Sequence, residues 1–270
     1  MDIMSFTFDQ YLEGEHKSET EIREMHKNEI DLCINFWNFL ANGLIKSVDR
    51  GAILFMYFYQ PAVSELHLAI TSIMRLHLNQ CFQDLRLSLE NIAICMYFLN
   101  CDQECNRIFL DSNLSEGKYG TNSLKKKAYD FLEKKYPQQN ATIKRYKEYM
   151  SVHGSHANIG SAALKVKPDK EEVRTNFFDE PTPHLIKNSL MLISDIILGF
   201  CEAIIKQRRD PLMLPLVDDC ESQFNTLKTN YLRHKQAMEN YIHTQQKSRK
   251  PNEKCWCGSE IKFKKCHGRS

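Results

Sequence analysis

The chain has 270 residues, of which 42% are hydrophobic and 26% charged, and its formal charge at pH 7 is +2. That length suits one large domain or a domain with an appendage, and the near-neutral charge excludes a polycationic protein. Ten glycines and eight prolines are few for a chain of this size, which disfavours a turn-rich all-β fold and favours helices.

The start of the chain and its cysteines indicate the compartment. The first residues include acidic side chains where a secretory signal needs a basic region and an apolar core, so we expect a cytoplasmic protein. Thiols stay reduced in that compartment. The ten cysteines therefore indicate core positions or metal ligands rather than disulfides.

The first half of the chain has the periodicity of helices. Apolar residues recur at steps of three and four between Glu19 and Ser47, which predicts a first helix. Pro61 is predicted to begin a second helix that runs to Leu78, since proline suits a first helical position. The segment 85–100 is apolar on more than one face and predicts a central helix. Shorter helical patterns follow at 103–111, 122–136 and 140–152.

The second half predicts one long loop and two further helices. Residues 154–183 have no helical period and contain glycines and prolines, so we predict a loop with a short hairpin. The apolar segment 184–208 is interrupted by Asp195 and Glu202, which favours a buried helix over a membrane span. A polar helix is predicted at 218–244.

The predicted fold is therefore all-α: a helical bundle with a small C-terminal knuckle on a basic linker. We divide it into a body at 1–210, a polar C-terminal helix at 211–246, a flexible linker at 247–254 and the knuckle at 255–270. From Lys247 to the end, eight lysines or arginines stand against two glutamates. An acidic partner would be attracted to this part of the chain.

The knuckle sequence KCWCGSEIKFKKCHGRS concentrates potential metal ligands. Cys255 and Cys257 are separated by one residue, and Cys266 and His267 are adjacent. Two close pairs of thiolate and imidazole ligands joined by a short loop suit tetrahedral Zn²⁺, and four protein ligands leave no open position for a catalytic water. A segment this small has no core of its own, so the metal would supply its folding free energy.

The stretch CWCGSEIKFKKCHG closely resembles the SEC-C motif, the zinc-binding tail of the SecA preprotein translocase. The resemblance covers residues 251–270 and implies that Cys255, Cys257, Cys266 and His267 are the ligands. Trp256 departs from the pattern, because such tails often have proline there. The resemblance implies a docking module for protein partners, phospholipid or the ribosome. We therefore expect a non-catalytic adaptor or defence-related bacterial protein whose basic tail docks to a protein, ribosome, RNA or other acidic partner.

The helical body contains a second group of polar residues. Arg86 and Glu90 lie four residues apart on the apolar central helix, so each needs a partner and the other is the nearest. His153 stands at a predicted helix C-terminus, where the dipole favours a protonated imidazole. Packing of these residues with Tyr149 and Ser151 would form a polar pocket. The alternative is that they only specify the fold.

The segments LRLSLEN and YKEYMSVH are similar to the HEPN superfamily, and most similar to its bacterial all-α families that include abortive-infection proteins. Many HEPN members are metal-independent, dimeric RNases with an Arg-x(4–6)-His motif. In this chain seven residues separate Arg145 from His153, and Lys147 occupies the permitted distance. The resemblance implies His153 as acid/base and Lys147 or Arg145 as phosphate binder. Arg86 or Glu90 would then orient these groups. An RNase targeted by the zinc tail is therefore the alternative function, and the dimeric members of the superfamily imply a homodimer.

Overall fold

The computed structural model describes residues 7–100, 121–153, 166–168, 173–175, 178–179, 181–208, 211–257 and 261–267. Within these ranges the chain forms eight α-helices and one two-stranded antiparallel hairpin. The helices are α1 (Phe8–Met25), α2 (Lys27–Asn38), α3 (Ile53–Met74), α4 (Leu78–Leu99), α5 (Thr121–Lys135), α6 (Pro137–His153), α7 (Pro183–Gln207) and α8 (Cys220–Ser248). The hairpin pairs β1 (Val166–Pro168) with β2 (Val173–Thr175) inside the predicted loop. The all-α prediction is confirmed.

Helix α4 is the centre of the bundle, as its apolar sequence predicted. It packs against α3, α5, α6 and α7, and most of its side chains are buried. The hydroxyl of Ser88 on α4 donates a hydrogen bond of 3.0 Å to the backbone carbonyl of Ala62 on α3. Because Ser88 is completely buried, this bond satisfies a polar group that would otherwise be costly at the core.

The N-terminal region differs from the single helix predicted between Glu19 and Ser47. The first helix begins earlier, where Thr7 and Gln10 form a reciprocal capping box. It ends at His26, whose φ of −120° and ψ of 31° interrupt the helical path before α2 begins. After α2 the backbone continues as a π-helical turn through Gly43.

Pro61 does not begin a helix but lies inside α3, which starts at Ile53. A proline inside a helix removes the hydrogen bond to the carbonyl four residues earlier, here that of Tyr57. Both Pro61 and Tyr57 are exposed, so this carbonyl lies on the face of the helix that water can reach. The prediction that Pro61 begins the helix was wrong. It did not allow for a proline inside the helix, where the backbone carbonyl that loses its hydrogen bond lies on a face exposed to water.

Helix α7 is a core helix, with fourteen buried residues on its faces. It is long and apolar enough to cross a membrane by length and composition, and 72% of its most apolar window is buried inside the described protein. Five cysteines of the helical body are buried and free, in agreement with the predicted core positions: Cys33, Cys81, Cys95, Cys201 and Cys220. The predicted helix at 103–111 lies outside the described residues.

Helix α8 is longer than predicted and leads directly into the knuckle. It continues through Ser248, so it occupies part of the segment predicted as a flexible linker. The next residues are already hydrogen-bonded: the Glu253 amide donates to the carbonyl of Lys250 at 3.1 Å, and the Lys264 amide donates to that of Pro251 at 2.9 Å.

Candidate metal centre and a second polar cluster

A short backbone frame positions the metal-ligand candidates. Lys254 and Lys262 form an isolated antiparallel bridge, and the Cys255 amide donates to the carbonyl of Ile261 at 2.8 Å. A 3₁₀ turn, Phe263–Lys265, then carries the chain to the second ligand pair. The bridge therefore brings the two ends of the loop together, although the ligand pairs are separated by eight residues in sequence.

The four predicted ligands converge on one point. Their donor atoms, three sulfurs and one imidazole nitrogen, all lie within 4.8 Å of one another. The Sγ atoms of Cys257 and Cys266 are 3.6 Å apart, and Nδ1 of His267 lies 3.2 Å from the Sγ atoms of both Cys255 and Cys266. Tetrahedral zinc requires separations of about 3.8 Å between sulfurs and about 3.5 Å between sulfur and nitrogen. These donors therefore fit a single metal ion with little adjustment.

The knuckle has almost no hydrophobic core. Its buried side chains in the described residues are Cys255, Cys257 and Phe263, with Trp256 and Cys266 packed beside them. Two of the three buried residues are thus metal-ligand candidates. This composition agrees with the expectation that metal binding, rather than apolar burial, stabilises the segment.

The knuckle contacts the helical body at the start of α7. The Trp256 ring lies edge-on to the ring of His184, with centroids 4.6 Å apart, and 4.8 Å from the ring of His267. The rings of His184 and His267 are themselves 5.6 Å apart. Burial lowers the pKa of His184, and His267 and Lys187 lower it further, so its ring is neutral at pH 7. Sequence reasoning missed His184, since no local pattern links it to the tail.

The outer surface of the knuckle is basic. Four lysine side chains are exposed there: Lys254, Lys262, Lys264 and Lys265. Ile261 is also 49% exposed beside them. The knuckle therefore has the buried cysteines Cys255 and Cys257 on the inside and ammonium groups on the outside.

The polar residues of the body form a separate cluster, but not with the predicted pairing. Arg86 donates from Nη1 to Oγ of Ser151 at 2.6 Å. Glu90 instead binds two lysines, with Lys125 Nζ at 2.6 Å and Lys147 Nζ at 3.1 Å. The predicted pairing of Arg86 with Glu90 was therefore wrong, because α5 and α6 supply closer partners for both residues.

The remaining candidates lie at different places on α6. The guanidinium of Arg145 lies over the ring of Tyr146, 5.6 Å from its centroid, and its side chain is exposed. Tyr149 packs edge-on against Phe82. His153 is the last residue of α6, as the sequence predicted, and its side chain lies outside the described residues.

The fold and the site together define an all-α protein that ends in a knuckle of four metal-ligand candidates. Residues 252–269 match the family model of the SEC-C motif, so the chain carries this motif at its C-terminus, as predicted. Neither the curated proteins nor the solved structures contain a match to the chain. The similarity of the helical body to HEPN proteins therefore remains a prediction.

Proposed function

We propose that Cys255, Cys257, Cys266 and His267 bind one structural Zn²⁺ ion. The observation that carries this proposal is the convergence of three sulfurs and one imidazole nitrogen within 4.8 Å. Thiolate and imidazole donors in a tetrahedral arrangement favour zinc over hard cations such as Mg²⁺ or Ca²⁺. When bound, zinc supplies a cross-link between the two ends of the knuckle.

Metal analysis of the purified protein tests the zinc assignment. We expect one zinc per chain in the wild type by native mass spectrometry, and loss of that zinc when Cys255 and Cys257 are both replaced by serine. Cys220→Ser is the control, because this buried cysteine lies at the start of α8 and outside the cluster. Retention of zinc by the double variant would overturn the ligand assignment.

We further propose that the knuckle is a non-catalytic docking module for an acidic partner protein. Four donors fill a tetrahedral zinc shell and leave no position for a reactive water. The exposed lysines around the site supply the positive surface, and the exposed Ile261 supplies an apolar contact within it. Such a basic patch steers association with an acidic surface. We expect this interaction in the cytoplasm.

Charge reversal tests the docking function separately from metal binding. The variant with Lys262, Lys264 and Lys265 replaced by glutamate should retain zinc but lose its cross-linked protein partners in intact cells. The control carries the same charge change at Lys17, Lys27 and Lys134, which are exposed on other helices. If partners persist with the reversed knuckle, the basic surface is not the docking site.

A second candidate function, metal-independent RNA cleavage by the body, is favoured by one observation. Arg86, Ser151, Lys147 and Glu90 are linked by contacts near the end of α6, whose last residue is His153. Wild-type protein incubated with total cellular RNA in EDTA should then degrade it, and His153→Ala should not. Intact RNA with both proteins would exclude this function.

A further inference from the structure

An excess of positive charge is partly enclosed between α4, α5 and α6. Lys125 and Lys147 both contact the carboxylate of Glu90, one on each oxygen. Arg86, one helical turn before Glu90, reaches Ser151, which accepts from Arg86 and donates to the carbonyl of Lys147 at 2.8 Å. The two lysine ammonium groups thus share one carboxylate, and Arg86 lies one helical turn away along the same interface of α4 with α6, linked to Lys147 through Ser151 and a backbone carbonyl.

The carboxylate does not balance the cations. Burial alone would raise the pKa of Glu90, but hydrogen bonds from Lys125 and Lys147 outweigh it and hold the pKa below its ordinary value. Glu90 is therefore ionised at pH 7, and among the residues that the structure describes three positive charges stand against one negative, a net charge of +2. Within the described ranges, Glu90 is the only carboxylate that lies within 4.0 Å of any of the three cations.

The position of these charges makes the imbalance costly. The side chain of Lys147 is only 20% exposed and that of Glu90 only 15% exposed, so water screens them incompletely. Uncompensated charge in such a place is destabilising unless an anion completes it.

The cluster also contains neutral hydrogen-bonding groups suited to an oxyanion. The hydroxyl of Tyr129 lies 3.1 Å from Lys147 Nζ. Arg86 has five N–H donors and uses one of them in its bond to Ser151. Arginine, lysine and hydroxyl donors together are the usual environment of a phosphoryl group in proteins.

We propose that Arg86, Lys125 and Lys147 bind the terminal phosphate of a phosphorylated small molecule. A phosphate monoester carries a charge of about −1.5 to −2 at pH 7, which matches the net +2 of the cluster. A phosphodiester carries only one negative charge and has no terminal group to enter a partly enclosed site. The proposed ligand is thus a monoester, and its binding requires neither the zinc site nor RNA cleavage.

Isothermal titration of the full chain with phenyl phosphate and with methyl phenyl phosphate tests the charge match. Both probes carry the same ring, but only the first is a dianion. We expect the monoester to bind at least about tenfold more tightly, because only its terminal dianionic group can accept the additional charge-assisted hydrogen bonds; a tenfold change corresponds to about 1.4 kcal/mol. Equal affinities for the two probes, or no binding of either, would overturn the proposal.

Two substitutions should change the affinity for phenyl phosphate in opposite directions. Arg86→Gln should weaken it about tenfold or more, whereas Glu90→Gln should strengthen it because the two lysines lose their competing carboxylate. Arg233→Gln, at an exposed arginine on α8, should change nothing. If Arg86→Gln does not fold by circular dichroism, Lys125→Gln replaces it, since that side chain is 35% exposed. Unchanged or weaker binding by folded Glu90→Gln would show that the cluster is purely structural.

Failure of phosphate binding can be distinguished from failure of zinc binding or of RNA cleavage. Zinc content reports the knuckle alone, and RNA integrity in EDTA reports cleavage alone. A 5′-phosphorylated oligonucleotide that binds more tightly than phenyl phosphate by more than tenfold would overturn the small-molecule assignment in favour of a nucleic-acid end.

Discussion

Replacing His184 with alanine tests whether the metal centre is coupled to the helical body. His184 lies at the start of α7, and its ring contacts two residues of the knuckle, Trp256 and the ligand candidate His267. The knuckle buries only three side chains of its own in the described residues. We therefore expect metal binding to order the segment, so that any contact between the ordered knuckle and α7 adds to the apparent metal affinity.

The magnitude follows from the two ring contacts. An aromatic pair contributes about 0.5–1.5 kcal/mol beyond its buried area, so the loss of both contacts costs about 1–3 kcal/mol. A coupling free energy of that size weakens metal affinity by about 5- to 150-fold. The hydrogen bond between Asn188 Nδ2 and His184 Nε2, 3.0 Å long, lies within α7 and does not enter this difference directly.

Competition between the protein and a chromophoric zinc chelator measures the affinity. We expect weaker zinc binding in His184→Ala and in Trp256→Ala, and a double variant whose loss is smaller than the sum of the two. Trp256→Phe should retain most of the affinity, because it keeps an aromatic ring and removes an indole N–H that is buried without a hydrogen-bond partner in the described structure. His243→Ala, on an exposed part of α8, is the control. Equal zinc affinity of wild type and His184→Ala would refute the coupling.

Three further results are expected. Removal of metal by a chelator should expose residues 249–267 to proteolysis. The far-ultraviolet circular dichroism should stay within about 10% of its original value, since the knuckle contributes only one short 3₁₀ turn in the described residues. A large loss of helicity would contradict this. Burial lowers the pKa of His26 in the folded protein below its unfolded value of about 6.5, and Glu29 only partly opposes this shift. The neutral ring therefore contributes stability that is fully present above the unfolded pKa and is lost as the pH falls through the folded pKa. His26→Leu should therefore lose less thermal stability than the wild type between pH 7 and pH 5, with exposed His16→Leu as control; equal losses would be evidence against the assignment. Tyr231 is fully buried and its hydroxyl donates to Asp195 at 2.7 Å, so Tyr231→Phe should lower the free energy of unfolding in urea by about 1.5–3 kcal/mol, whereas exposed Tyr241→Phe should not.

The sequence predicted helices well where one pattern dominated. The apolar segment 184–208 corresponds to α7 within one residue at each end, since its buried faces leave little ambiguity. The break at His26 was missed because the apolar period continues through it, and the change is confined to the backbone of one residue. Periodicity reports which face is buried, but it does not report where the axis of a helix changes direction.

The candidate sites were predictable to different degrees for a physical reason. The four metal-ligand candidates lie within thirteen residues, so their spacing alone indicated a common site. The polar cluster of the body combines three helices that are distant in sequence, and only the fold shows that Lys125 pairs with Glu90. Lys125 belongs to the lysine run 125–127, and such a run has no periodicity that reveals a partly buried partner.

The short connection between α8 and the knuckle changes how docking can work. A flexible linker would let the knuckle capture a partner independently of the body. Here the helix continues through Ser248, the following residues are hydrogen-bonded within the knuckle, and Trp256 contacts α7. A partner bound to the exposed lysines would therefore be held in a defined orientation to the bundle. Loss of the His184 contact should therefore make the orientation of the partner relative to the bundle less defined, and it should also weaken the affinity for metal.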